Sequence, residues 1–130
     1  MCIRDSGSGG QRCGVINDAG SIVRLKAPVG ASAVLINLTL TDAVSDGYAT
    51  AVPCSLAAGA TGQSNGNISV GGVAANLAVV TVDPDGTFCV RVSAPMHVIV
   101  DLQGTFSPTG ELRFMPAAPT RRSDTRNPAG

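Results

Sequence analysis

Tryptophan is missing from the sequence, and the whole aromatic complement is one tyrosine and three phenylalanines. Sugar rings stack their apolar faces on aromatic platforms, so this poverty speaks against a dedicated carbohydrate site. Charge is scarce as well: charged residues make up 14% of the chain, and nine basic residues balance nine acidic ones. With no net charge and no basic face, the electrostatic footprint of a nucleic-acid binder is absent. No apolar run reaches the roughly 18 residues of a membrane helix. Met1–Gly10 has no apolar centre of the kind a signal peptide needs. There is no Cys-x-x-Cys pair, no Cys–His spacing suited to zinc, no nucleophile elbow and no glycine-rich phosphate loop. On these grounds no catalytic residue, metal ligand or cofactor is assigned, and the chain is read as a non-enzyme. Lysine occurs once, at Lys26, beside eight arginines, which reads as a GC-rich coding bias.

What is present favours strands and turns. Ala, Val, Gly, Thr and Ser dominate, and no segment keeps a helical period over about ten residues. Ala33–Thr41 is the clearest strand. Val34, Ile36, Leu38 and Leu40 lie on one face; Leu35, Asn37, Thr39 and Thr41 lie on the other. Further strands are expected over Ser21–Ala27, Tyr48–Val52, Asn67–Val70, Asn76–Val82, Thr87–Val92, His97–Leu102 and Glu111–Met115. Turn signals separate them: Pro28 to Gly30, Asp46-Gly47, Gly71-Gly72, Asp83-Pro84-Asp85-Gly86 and Ser107-Pro108-Thr109-Gly110. The Asp83–Gly86 turn is expected to join Asn76–Val82 to Thr87–Val92 as a hairpin, and the His97–Leu102 strand to run into a glycine turn at Gly104. Ser55–Gly62 reads as a loop with room for one helical turn. Short strands at this spacing predict an all-β antiparallel sandwich, with a Greek-key or jelly-roll-like barrel as the alternative.

His97-Val98-Ile99-Val100-Asp101-Leu102-Gln103-Gly104-Thr105-Phe106 resembles the closing signature of a repeated β-rich module in secreted and cell-surface actinobacterial proteins. Four further segments resemble other parts of that module. They are Val34–Thr41, Asp46–Cys54, Ser64–Ile68 with Asn76, and Pro119–Arg126, where Arg122 and Ser123 depart from its two leucines. The resemblance covers about Ser21 to Arg126. It implies an extracellular or cell-surface location and a module that is repeated or sits beside other domains. Met1–Ser6 resembles a translated sequencing-adapter scar. Residues 1–10 are therefore read as an artefact and flexible lead-in, 11–115 as one sandwich domain, and 116–130 as a linker or the start of a following repeat, the whole being a piece of a longer chain.

Cys54 and Cys89 could be buried thiols or a bridge; the resemblance, which places cysteines at both positions in a secreted module, implies the disulfide. Cys13 is then left over. Asn65, Asn67, Asn76, His97 and Asp101 are singled out as a polar binding face. The asparagines offer amides to sugar hydroxyls, or else tie down loop backbone. His97 and Asp101 stand about 13 Å apart along a regular strand, too far for acid–base partnership. Asp83, Asp85 and Asp101 could be read as calcium ligands, since Asp83-Pro84-Asp85-Gly86 resembles the start of a calcium loop, but Val92 stands where the closing acid belongs. Two glycosylation acceptor patterns, Asn37-Leu38-Thr39 and Asn67-Ile68-Ser69, are set aside. The function expected is a non-catalytic accessory module, a spacer or interaction unit. A carbohydrate- or cell-wall-binding module and a hydrolase fragment are the alternatives. Expected partners are cell-wall glycan or neighbouring domains of the same chain, not nucleic acid and not a membrane interior.

Overall fold

The computed structural model describes residues 2–4, 11–13 and 17–110. The strands are β1 (Cys2–Arg4), β2 (Gln11–Cys13), β3 (Ile22–Lys26), β4 (Ala33–Thr41), β5 (Gly47–Pro53), β6 (Gly66–Ile68), β7 (Val73–Thr81), β8 (Thr87–Val92) and β9 (His97–Phe106). One short 3-10 helix, Cys54–Gly59, follows β5. β1 and β2 pair with each other, Cys2 opposite Cys13, so the lead-in expected over residues 1–10 contains a paired strand. The strand expected at Glu111–Met115 and the linker expected at 116–130 lie outside the described residues, as does the side chain of Cys13.

The other strands form two antiparallel sheets, ordered β3-β8-β5-β6 and β7-β4-β9. They face each other as a sandwich, with the core between them. β4 is the centre of the smaller sheet and pairs along its whole length with both neighbours. Its strict alternation makes this possible. Val34, Ile36, Leu38 and Leu40 turn inward and are fully buried. From the larger sheet Phe88, Val90 and Val92 of β8, Ala49 and Ala51 of β5 and Leu25 of β3 meet them. Small residues bring the layers close. A Cβ built on Gly47 would fall 2.7 Å from the Ala94 Cβ, so only glycine fits where β5 begins.

Two local expectations are corrected. Asp83–Gly86 is a turn: Gly86 has φ +85°, and its N–H donates to the Asp83 carbonyl. It is not the tip of a hairpin. The Asp83 N–H donates to the Thr87 carbonyl, and then the chains part, β7 into the smaller sheet and β8 into the larger. Turn chemistry reverses the chain but does not choose its partner. β7 finds nine matched positions along β4, while β8 inserts between β3 and β5. Second, Gly104 is no turn. β9 runs through it to Phe106, with Gly104 opposite Leu35 and Leu102 opposite Ile36. Gln103 is thus the extra residue of a β-bulge.

An Asp at position 38 would leave an unpaired carboxylate among the buried β4 side chains, at a cost of several kcal/mol against a total stability of about 5–15 kcal/mol. Leu38→Asp is expected to abolish the cooperative thermal transition in circular dichroism. Asn37→Ala, on the opposite face, should keep it. A folded, cooperatively melting Leu38→Asp protein would reverse the face assignment.

Candidate functional site

The outward face of the larger sheet is where the polar residues gather, and a strap of chain lies over it. Thr50 and Cys89 point outward from β5 and β8, yet both are buried. Residues 54–65 cover them. Cys54 and Cys89 form a disulfide, with Cα atoms 4.8 Å apart. Next to it the Ser55 N–H and hydroxyl both donate to the Asp83 carboxylate, at 2.8 and 2.7 Å. Further along, Arg91 donates to the Ala58 carbonyl, the Tyr48 hydroxyl to the Thr61 carbonyl and the Thr50 hydroxyl to the Gln63 carbonyl. Within the strap, Ala57 of the 3-10 helix is buried.

The strap ends on Asn65, which acts as a substitute for missing strand. β6 pairs with β5 only as far as Ala49 opposite Gly66. Beyond that point the Ala51 N–H would face no ladder partner. The Asn65 side-chain oxygen accepts it at 2.8 Å, while the Asn65 N–H donates to the Ala49 carbonyl. The Asn76 amide, on the inward side of β7, then donates to the Asn65 carbonyl at 3.0 Å. One asparagine therefore extends the larger sheet and, through Asn76, fastens it to the smaller one. Asn67 is exposed, accepts from the Ser64 hydroxyl, and sits opposite Tyr48 on the outward face.

His97 and Asp101 lie elsewhere. They occupy β9, opposite Thr41 and Asn37, with β4 between them and β7. The structure thus brings Asn65, Asn67 and Asn76 together and holds His97 and Asp101 at the other edge of the smaller sheet. His97 is half-buried and Asp101 is exposed. Asp83 and Asp85 are both engaged at the corner turn. Asp85 pairs with Arg24 at 2.8 Å and accepts from the Thr87 N–H and hydroxyl. The Thr87 hydroxyl bond, against some desolvation, and then the Thr87 N–H and the charges of Arg24 and Lys26 hold the Asp85 carboxyl below the usual aspartate range. Among the described residues no three His, Cys, Asp or Glu side chains are grouped as metal ligands. Sequence reasoning missed Tyr48, Thr50 and Arg91 as strap anchors. Their only signal was polarity at outward positions of strands that flank an Ala- and Gly-rich loop.

Comparison with protein-family models, with curated proteins and with solved structures finds no match.

Two outcomes follow from the strap and the corner. Replacing both Cys54 and Cys89 by Ala opens a loop whose closure restricts the unfolded chain. The loss expected is about 2–4 kcal/mol, read as a lower denaturation midpoint in urea. An unchanged midpoint would show that the noncovalent anchors suffice. Asp85 supplies the pH dependence. A carboxyl with a folded pKa below its unfolded value adds stability above the unfolded value and loses it as pH falls through the folded one. From about pH 7 to about pH 2 the melting temperature should therefore fall less steeply in Asp85→Asn than in the parent. Parallel profiles would remove Asp85 from the account.

Proposed function

We propose that this domain is a non-catalytic extracellular accessory module, a spacer or interaction unit of a larger secreted or surface protein. One observation supports the reading above others. The polar side chains that stand out in the sequence serve the fold: Asn65 and Asn76 join the sheets, and Asp83 and Asp85 pin the corner. A disulfide across the outward face accords with an oxidising compartment. No helix among the described residues is long and apolar enough to cross a membrane. The resemblance to the actinobacterial module points the same way and belongs to this proposal.

A second reading, a cell-wall glycan binder, has one observation in its favour. Tyr48 and Asn67 lie opposite each other on the outward face of β5 and β6, an aromatic ring beside an exposed amide. Pull-down on insoluble peptidoglycan separates the two readings. The spacer reading expects no retention above a bovine-albumin control. Retention that disappears in Asn67→Ala would establish the glycan reading instead. For His97 and Asp101 the expected effect is on stability: the double substitution to Ala should lower the melting temperature and leave the activity of the full-length parent, per folded molecule, unchanged. Loss of turnover at unchanged stability would place a site on β9.

A further inference from the structure

We propose that the edge of β7, unpaired among the described residues, docks a second copy of this chain, β7 pairing antiparallel with β7. The proposal goes beyond the accessory-module reading and does not depend on it. A sheet edge displays unpaired N–H and C=O groups, and proteins that stay apart blunt their edges with charge, proline, bulges or brevity. Three of the four sandwich edges here are blunted. β3 is five residues long and carries Arg24 and Lys26 outward. β6 has three residues. β9 carries Asp101 and the bulge at Gln103. β7 has none of these devices: nine residues in unbroken register with β4, without charge, proline or bulge.

Its outward face is apolar and open. Val73, Leu77 and Val79 are 71%, 67% and 40% exposed. Asn76, the inward polar residue at its middle, is turned to the Asn65 carbonyl and so is committed within the copy. The sequence of β7 is suited to itself. In a register centred on Leu77, Leu77 meets Leu77 of the second copy, Ala75 meets Val79, and Val73 meets Thr81, so the apolar outward stripe continues across the junction. No charge lies on the strand, and the chain as a whole has none net, so copies do not repel. A charged peptide would find no counter-charge there. Nine residues span about 30 Å, which supplies only part of the roughly 1,200 Å² that stable complexes bury. The pairing is therefore weak between free domains and becomes effective when copies are tethered in one chain or crowded on one surface.

Sedimentation equilibrium on the full 130-residue chain tests this. Between about 10 μM and about 1 mM the mean mass should rise toward that of a dimer. Leu77→Lys sets like charges opposite each other across the two-fold; it should weaken dimerisation at least tenfold, with the melting temperature unchanged because Leu77 is exposed. Ile22→Lys, at an exposed position of the edge strand β3 in the other sheet, should dimerise like the parent. Independently, oxidation of Leu77→Cys should give a dimer that peptide mapping shows to be linked through position 77. A chain that stays monomeric at the highest concentration overturns the proposal. So does a dimer indifferent to Leu77→Lys, equal weakening by Ile22→Lys, or an oxidised Leu77→Cys protein with no link at position 77. None of these results bears on glycan binding or turnover, which test the functional reading separately.

Discussion

The inward face of β4 is the constraint on which the rest of the fold depends. Four aliphatic side chains, Val34, Ile36, Leu38 and Leu40, project from one strand and are completely removed from water. They meet small inward residues on β5 and β7 and larger ones on β8. The backbone of β4 is equally committed, since both of its edges carry a ladder. A strand fixed on both edges and one face leaves little freedom to its neighbours. β7 and β9 must follow its register. The larger sheet must present Phe88, Val90 and Val92 at the depth β4 allows.

Packing alone would leave the sandwich sides open. On the β6–β7 side the closure is polar. Asn65 accepts an N–H that a longer β6 would have taken, and Asn76 reaches it from the other sheet. A carboxamide suits this task because it carries donor and acceptor together and mimics the peptide group it replaces. The corner turn performs a similar service at one end of the sandwich. Asp83 holds the start of the 3-10 helix, and Asp85 holds Arg24 of the edge strand β3. Asn65, Asn76 and Asp83 thus each take up a backbone group outside the strand ladders.

Much of the layering was legible beforehand. Ala33–Thr41 and Thr87–Val92 have the predicted bounds, because alternation over six to nine residues between turn signals is a strong local signature. Local signatures stop at the choice of partner. The Asp83–Gly86 turn was correctly located, yet the strands it joins belong to different sheets, a fact held in the match between β7 and β4. Gly104 illustrates the same limit. It lies beside a bulge within β9, and the continued presence of β4 alongside keeps the chain extended where glycine signalled a turn. For the candidate site, the sequence marked Asn65, Asn67 and Asn76 as unusual near strands. It could not show that two of them clasp the sheets while His97 and Asp101 sit an edge away. The strap anchors Tyr48, Thr50 and Arg91 are ordinary outward residues until the loop above them is seen.

The covalent loop closed by Cys54 and Cys89 also bears on mechanics. Its two ends are 35 residues apart in sequence but 4.8 Å apart in space. Load applied through the chain would cross from one cysteine to the other without passing through the strap, β6 or β7. Even with both sheets pulled apart, roughly 115 Å of contour stays locked inside the ring. A domain closed in this way extends under tension by less than its full contour and keeps the β7 edge within a segment that bears no load.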